Sequence, residues 1–373
     1  MPSPRNASRA SGIVEAHRQL HLFADISSHG FGHLAITAPV LNALGKLLPE
    51  LRLTLRSGLP ASKLRERIEL PFELIAAASD FGYVMLDATR INRALSATAY
   101  RATHANWERR VLAEADFLAR LAPDLVLSNV SYLPLAGAAE AGIASTCLCS
   151  LNWADLFQHY FGQERWATTI HAEMLAAYRS ARAFLRVTPG MPMPALDNIH
   201  PVGPVAALGQ RHDLGLNGDK AVLVAMGGIA HRLPVENWPR LPGIRWLVSA
   251  DWQCRHPAAL AWESFGLGFT DLLCSVDAIV TKPGYGTFSE AACNGTPVLY
   301  QRRLDWPEQD CLIEWLAQHV KSSETGAADL ATGNIGEQLQ NLWGKTAPTR
   351  PVANGIAEAS TKIRSLMMQT RPV

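Results

Sequence analysis

The sequence predicts an α/β protein with two doubly wound, parallel-sheet domains, and three observations support that fold class. Residues 20–55 contain a buried strand, a glycine-containing turn, a helical segment and a second strand. This βαβ order is typical of doubly wound sheets, which bind ligands at the carboxyl ends of their strands. A strand at 221–225, which ends at Met226-Gly227-Gly228, repeats the plan in the second half. Five prolines at 188–209 predict a linker between the halves.

The length and composition of the chain fit this division. Its 373 residues, of which 48% are hydrophobic and 18% charged, leave room for two compact domains of ordinary size. Lys and Arg number 34 against 33 Asp and Glu, so the net charge of +1 gives no reason to expect nucleic acid or a membrane surface as a partner. No apolar run has the length of a transmembrane helix. Residues 1–19 lack the apolar core of a secretory signal and are expected to form a mobile leader.

The cysteine pattern predicts free thiols in a cytoplasmic protein. None of the six cysteines forms a CxxC pair, and Cys147 and Cys149 alternate along an apolar strand with their side chains on the same side. Buried thiols in a reducing compartment fit this pattern better than disulfides or structural zinc, so no metal is expected.

Hydrophobic periodicity places the other elements of the first half. The pattern predicts strands at 20–26, 51–55, 124–130 and 143–149, helices at 35–48, 133–141 and 163–183, and one or two helices within 94–120. Residues 27–33 and 152–155 are expected to form loops. Five arginines give residues 79–110 local positive charge, either as an anion- or acceptor-contacting surface or as an ordinary solvated helix face: Arg90, Arg93, Arg101, Arg109 and Arg110.

The second half continues the same alternation. The pattern predicts strands at 244–249, 276–280 and 296–300, and a loop at 266–271 before a short helix. The tail at 356–368 has the spacing of an amphipathic helix.

The stretch after the strand at 276–280 is the strongest candidate for a binding site. Lys282-Pro283-Gly284-Tyr285-Gly286 forms a turn, and Thr287 is a suitable N-cap for the helix that follows. A helix start after a strand directs free backbone N–H groups and a positive dipole to one point, and small glycines let a phosphate approach. The residues therefore predict a diphosphate site. Thr287 and Glu290 also fit the capping box of a helix that binds nothing, and this alternative stays open.

A polar loop follows the next predicted strand. It contains Glu308 and Gln309, whose carboxylate and amide groups suit the hydroxyls of a sugar beside a phosphate site.

KPGYGTFSEA and this acidic, glutamine-containing loop resemble the nucleotide-binding domain of GT-B glycosyltransferases, among them the UDP-glycosyltransferases and the GlcNAc transferase of peptidoglycan lipid synthesis. The sequence motifs are most similar to those of the glycosyltransferase-like N-terminal region of the L-arabinokinases. With HGFGH, PDLVLSN, AAEAGIAS and PGMPMPA in the same order, the resemblance covers about residues 20–320.

The resemblance implies two Rossmann-like domains that face each other across a cleft and bind different substrates. Residues 20–200 would form the acceptor-side domain, residues 201–350 the nucleotide-sugar domain, and residues 351–373 a helix that packs back on the first domain. The implied activity is transfer of a sugar from a nucleotide-diphosphate donor, expected to be a UDP-sugar, to an acceptor that the sequence does not name. No cofactor or metal is implied.

The turn glycines and the resemblance together assign the donor site. Phe269 would contact the base, Glu290 the ribose, and Glu308 and Gln309 the sugar. The residues expected around the diphosphate are Gly30, Gly32, Gly227, Gly228, Lys282, Gly284, Tyr285, Gly286 and Thr287.

His33 is the candidate catalytic base, because a neutral imidazole can take the proton of an acceptor hydroxyl as it attacks the anomeric carbon. The GH motif of UDP-glycosyltransferases places a catalytic histidine here, and His29 is the second choice. His33 could instead pack at the helix start or contact nucleotide, and a His29–His33 metal pair is disfavoured by the intervening glycines. Base catalysis would imply inversion of the anomeric centre.

One departure from the family weakens the catalytic assignment. Where relatives carry an aspartate that orients the histidine, this chain has Asn129, which can hold a tautomer but cannot stabilise an imidazolium electrostatically. Asp25 and Asp155 are possible substitutes. A catalytically silent nucleotide-sugar-binding protein and a UDP-sugar 2-epimerase, which shares the fold, are therefore the alternative functions.

Overall fold

The computed structural model describes residues 19–87, 90–227 and 231–369, which form two parallel sheets flanked by helices. Nearly all of the predicted leader, and the predicted diphosphate residue Gly228, lie outside the described residues. The two sheets follow one another along the chain, so each half of the sequence builds its own layered unit.

The first sheet has seven parallel strands in the described part of the chain. They are β1 (His21–Ile26), β2 (Arg52–Ser57), β3 (Glu73–Ile75), β4 (Leu125–Asn129), β5 (Ser145–Cys149), β6 (Phe184–Val187) and β7 (Ile199–Val202). Their order is β3-β2-β1-β4-β5-β6-β7, and Ile26 lies opposite Asn129 where the order reverses. The carboxyl ends of β1 and β4 therefore form the crevice in which doubly wound folds bind ligands.

Seven helices connect these strands. They are α1 (Phe31–Leu47), α2 (Ala61–Arg67), α3 (Arg93–His104), α4 (Trp107–Leu121), α5 (Leu133–Glu140), α6 (Trp153–Phe161) and α7 (Ala167–Ser180). All six residues of β1 are buried, as expected for a central strand with helices on both faces of the sheet.

The second sheet has six parallel strands within the described ranges. They are β8 (Lys220–Val224), β9 (Ile244–Val248), β10 (Ala259–Ala261), β11 (Ala278–Thr281), β12 (Val298–Tyr300) and β13 (Ser322–Glu324). The order β10-β9-β8-β11-β12-β13 reverses between β8 and β11, which lead into Gly227 and Lys282 respectively. The second crevice thus opens at the two turns that the sequence singled out.

The helices of the second half are α8 (Phe269–Ser275), α9 (Tyr285–Asn294), α10 (Gln309–His319), α11 (Ala327–Thr332), α12 (Gly336–Gly344) and α13 (Gly355–Met368). The last of them, α13, packs against α1 and β7 of the first half. No helix among the residues described is both long and apolar enough to cross a membrane.

Three local predictions were wrong, and each error has a physical reason. The expected linker contains β7, which pairs with β6 at the sheet edge, where Pro201 loses no ladder hydrogen bond to a further strand. The expected loop at 152–155 begins α6, because the Asn152 side chain accepts a hydrogen bond from the Asp155 N–H at 2.8 Å and caps the helix. The expected loop at 27–33 ends early, since α1 begins at Phe31 and includes Gly32.

All six cysteines lie in the described part of the chain as free thiols, and Cys147, Cys149 and Cys293 are buried. Burial raises the pKa of Cys147 to about 12 and that of Cys149 well above its ordinary value, so both thiols are inert packing groups.

Candidate active site

The two halves of the molecule meet where α1 and α9 begin. A Cβ placed on Gly286 would lie 2.7 Å from the Cβ of Ala35, closer than real side chains come. The Cα of Gly32 lies 3.9 Å from the same point. Gly286 therefore allows two helix starts to pack closely, and α1 occupies the space that a Gly286 side chain would need. A contact between phosphate and the Gly286 backbone N–H stays a prediction.

His33 lies in the first turn of α1 and is held by Asn129 at the end of β4. The His33 Nδ1–H donates to Asn129 Oδ1 at 2.7 Å. The Asn129 Nδ2 group donates to the Leu148 carbonyl at 2.8 Å and to Thr37 Oγ1 at 2.7 Å. Because the Leu148 carbonyl can only accept, the amide orientation is fixed, and the neutral ring carries its basic lone pair on Nε2.

The surroundings of His33 keep it neutral. Burial lowers the pKa of His33 to about 4, although the hydrogen bond with Asn129 acts in the opposite direction. The carboxylates considered as substitutes for an orienting aspartate lie elsewhere. Asp25 accepts from Arg56 Nε at 2.5 Å and from Ser79 Oγ at 2.7 Å, and Asp155 lies in the first turn of α6.

His29 precedes α1 and packs among aromatic rings from both halves. Its ring stacks on Trp306, with 5.7 Å between centroids and 8° between planes, and meets Trp153 edge-on at 5.2 Å. Burial, followed by the nearby charge of His33, lowers the pKa of His29 to about 3. His29 Nε2 has no hydrogen-bond partner in the described part of the chain. The described residues contain no cluster of three or more side chains able to hold a metal ion.

Lys282, at the end of β11, faces the turn that follows β8. Its Nζ lies 3.3 Å from where a Cβ of Gly227 would be, and Gly227 has a φ of 85°, which favours glycine. Burial, followed by the charge of Arg303, lowers the pKa of Lys282 to about 7, while Glu308 opposes the shift. The turns after β8 and β11 therefore meet at the Lys282 ammonium group. Glu308 offsets only part of the burial and of the Arg303 charge that disfavour the charged form of Lys282.

The capping-box alternative for α9 is wrong. The helix begins at Tyr285 with Gly284 as N-cap, no side chain caps it, and Thr287 is its third residue. Glu290 bonds to Arg67 instead of returning to a cap. An uncapped helix start leaves backbone N–H groups in its first turn for a ligand, and no Cβ contact would obstruct Gly284.

Several predicted donor residues already have protein partners. Glu290 is buried and its Oε1 lies 3.2 Å from Arg67 Nη1 across the interface between the halves. The Tyr285 hydroxyl accepts a hydrogen bond from the Val205 N–H at 3.0 Å and donates one to the Thr188 carbonyl at 3.0 Å. The side chain therefore holds the segment that connects the first sheet to the second.

Phe269 is half-buried at the start of α8, where it packs against the core. The predicted contact between the backbone near Phe269 and the nucleotide base therefore falls at the first residue of α8 and stays a prediction.

The predicted sugar-binding pair has two different roles in the structure. Glu308 accepts from Ser150 Oγ at 2.5 Å and from Trp306 Nε1 at 3.1 Å, so both carboxylate oxygens are engaged. The Gln309 amide bonds to the backbone N–H and carbonyl of Arg303 at 3.0 and 3.1 Å. Glu308 therefore links the two halves, and Gln309 shapes the loop that carries Arg303.

Arg303 is the site residue that sequence reasoning missed. Only 7% of it is exposed, and its guanidinium lies over the Trp306 ring at 3.9 Å. Its Nε and Nη2 have no hydrogen-bond partner among the described residues. Burial lowers the pKa of Arg303 to about 10, and Glu308 is the strongest opposing influence. The position was visible in the sequence, since Arg302-Arg303 follows a predicted strand at its carboxyl end, but two adjacent arginines gave no sign of which one is buried.

A cavity of about 200 Å³ lies in the first half beside these groups. Its walls include Phe81, Tyr100, Trp107 and Tyr132, and Trp153 separates it from His33 at 5.7 Å between ring centroids. Asp80 also lines the cavity and accepts from Trp153 Nε1 at 2.7 Å.

The arginines of the segment at 79–110 have different structural roles. Arg93 donates to Asp305 of the second half at 2.5 Å, Arg90 pairs with Asp87, and Arg110 lines the cavity. The segment therefore contributes to the interface and to the cavity wall, and part of it is an ordinary exposed face.

This architecture is the GT-B fold of glycosyltransferases, as the sequence motifs predicted. The chain matches CalG4, the calicheamicin glycosyltransferase, with a TM-score of 0.63 and 16% identity over 95% of this chain and 100% of that one. It matches a UDP-glucosyltransferase from Polygonum tinctorium with a TM-score of 0.57 and 15% identity over 94% of each chain. A putative UDP-N-acetylglucosamine 2-epimerase from Listeria monocytogenes gives a TM-score of 0.57 at 12% identity, over 95% of this chain and 98% of that one.

No protein-family model matches the sequence. An L-arabinokinase of Arabidopsis thaliana is 24% identical over 344 residues, which are 89% of this chain and 33% of that protein. The chain thus spans about a third of the length of this curated relative, and the predicted resemblance to GT-B proteins and L-arabinokinases is confirmed.

Proposed function

We propose that this protein transfers a sugar from a nucleotide-diphosphate donor, a UDP-sugar, to a hydroxyl acceptor without a metal ion. The observation that carries the proposal is the His33–Asn129 pair. Asn129 fixes the His33 ring with its lone pair on Nε2, at the start of a helix that packs against the uncapped start of α9. A base and an anion-binding helix end thus lie on opposite sides of one interface.

The reaction follows from these positions. The acceptor oxygen attacks the anomeric carbon as the bond between that carbon and the diphosphate breaks, and the acceptor proton passes to His33 Nε2. The leaving diphosphate is stabilised by the α9 N–H groups and by protonated Lys282, which replace a divalent cation. Attack on the face opposite the leaving group inverts the anomeric centre.

The cavity walled by aromatic rings is the proposed acceptor site. Its volume of about 200 Å³ suits a small aromatic or apolar acceptor, and the Trp153 ring that lines it also contacts His33.

Replacement of His33 by glutamine tests this proposal. The Gln side chain can still donate to Asn129 but cannot take a proton, so donor hydrolysis, measured as UDP release from a panel of UDP-sugars, should fall by about 10²- to 10⁴-fold. Binding of UDP by calorimetry should change less than twofold. His200→Gln, at an exposed histidine outside the cleft, is the matched control.

The same assays separate the alternatives. UDP-sugar binding without turnover in the wild type would indicate a silent binding protein, a function favoured by the low pKa of His33 and by Asn129 in place of a carboxylate. Interconversion of donor sugars at C2, seen by NMR, would indicate an epimerase. If no nucleoside diphosphate binds, the donor site itself is wrong.

A further inference from the structure

The loop between β12 and α10 holds a cation that the catalytic scheme does not use. Arg303 is buried, and Nε and Nη2, which are buried nitrogens without partners among the described residues, form one edge of its guanidinium. Parallel N–H groups on that edge match the two oxygens of a carboxylate in a bidentate contact. The flat face is already occupied, because it lies over Trp306 at 3.9 Å.

The charges around Arg303 are not balanced by the protein. Arg303 lowers the pKa of Lys282, burial lowers the pKa of Arg303 itself, and His29, near both, is neutral. Glu308 is the nearest counter-charge, but its oxygens already accept from Ser150 and Trp306. Tyr160 and Asp87, both in the first half, also raise the pKa of Arg303, but less than Glu308 does. Burying N–H groups of a guanidinium without hydrogen-bond partners costs desolvation free energy. A ligand that places an anion against this edge would recover that free energy as binding energy.

We infer that Arg303 binds a carboxylate of the donor sugar, so that this protein takes a nucleotide-linked uronic acid in preference to the neutral hexose. The inference rests on the proposed function. Two positions favour the sugar over the diphosphate as the source of the anion. The uncapped start of α9 and Lys282 already serve the diphosphate, whereas Arg303 shares its loop with Glu308, the residue expected beside the sugar.

Gln309 is a positioning residue in this scheme. Its amide holds the Arg303 backbone from both sides, which fixes the loop in the conformation that buries the guanidinium. The sequence motif that suggested direct sugar contact by Gln309 thus acts through Arg303.

The experiment compares donors that differ only at C6. Calorimetry on the full chain measures Kd for UDP, UDP-glucose and UDP-glucuronate, and for UDP-galactose and UDP-galacturonate. We expect the wild type to bind one uronate about 10- to 100-fold more tightly than its neutral partner, the range of a charge-assisted bidentate pair. Arg303→Gln should remove that ratio and change Kd for UDP less than twofold, and Arg303→Lys should keep part of it.

Arg302→Gln is the matched control, because Arg302 is the exposed neighbour whose side chain bonds Glu324 and Asp310 on the outer surface. It should leave the ratio unchanged. Equal affinity of the wild type for uronate and hexose would overturn the carboxylate assignment. Equal weakening of UDP, hexose and uronate donors in Arg303→Gln would show that Arg303 contacts the diphosphate or only supports the loop. Failure of UDP itself to bind the wild type would reject the proposed function, and this inference with it.

Discussion

At the scale of single residues, the orientation of His33 depends on one amide. Asn129 connects the ring to the Thr37 hydroxyl and the Leu148 carbonyl, and a carboxylate could not make the two donor bonds. The asparagine that departs from the family pattern is therefore the residue that this hydrogen-bond network requires, and stability alone explains its presence.

Asn129→Asp should lower the free energy of unfolding by about 2–4 kcal/mol at neutral pH, because a buried carboxylate would face the Leu148 carbonyl and lose two donor bonds. Urea denaturation measures the change. The loss should shrink as the pH is lowered, since a protonated carboxyl can donate again. Asn217→Asp, the same substitution at an exposed turn, should be nearly neutral, and equal stability of the two variants would contradict the network.

The sequence identified His33, Lys282 and Glu308 but not Arg303, Ser150 or Arg67. The first group follows predicted strands beside glycines or lies in a family motif, so its chemistry is local. The second group acquires its significance from burial and from partners across the interface, such as Ser150 with Glu308 and Arg67 with Glu290. No pattern within a short segment encodes those contacts.

At the scale of secondary-structure elements, the contact between α1 and α9 sets the distance between the two crevices. Periodicity predicted both helices, although α1 begins earlier and α9 is not capped as expected. Gly286 was singled out as a place for phosphate because it is small. The structure shows a second reason for its size, since α1 occupies the neighbouring space.

Gly286→Ala should cost about 1–3 kcal/mol of stability, because the new methyl group would lie 2.7 Å from the Ala35 Cβ in a packed interface. Thermal and urea unfolding measure the loss, and Ala35→Gly in the same chain should restore most of it. Gly284→Ala is the control, since a Cβ there meets no atom within 4 Å. A neutral Gly286→Ala, or no recovery in the double variant, would contradict close packing of the helices.

At the scale of the whole molecule, polar and ionic contacts join the two halves across the cleft. Glu308 bonds Ser150, Glu290 bonds Arg67, and Asp305 bonds Arg93 and His159, so acidic groups of the second half repeatedly meet partners in the first. Among the described residues, Lys282 and Arg303 form no salt bridge in this cleft. The cleft therefore carries positive charge that the protein does not pair.

Binding of a UDP-sugar, which has no terminal phosphate that titrates near neutral pH, should be coupled to proton uptake by Lys282. With a pKa of about 7 in the free protein, lowered by burial and by Arg303 against the opposing Glu308, its amine is mostly neutral at pH 8, and a bound diphosphate favours the charged form. Binding of the UDP-sugar should take up most of a proton at pH 8 and little at pH 6, and Kd should be up to about tenfold weaker at pH 8.

Calorimetry in buffers of different ionisation enthalpy measures this uptake. Lys282→Arg is the matched control, because a guanidinium keeps its charge at both pH values and should abolish the difference. Binding that is independent of pH in the wild type would show that Lys282 does not face the diphosphate.

Local sequence patterns were sufficient to predict the two βαβ units, most central strands and long helices, and the glycine turns at the carboxyl ends of the strands. These follow from hydrophobic periodicity and turn chemistry, which act over a few neighbouring residues. Tertiary structure decided the edge strands β3, β7, β10 and β13, the close packing at Gly286 and the burial of Arg303. Edge strands are short and half-exposed, and an arginine is buried only when distant segments exclude water from it, so neither is fixed by local sequence.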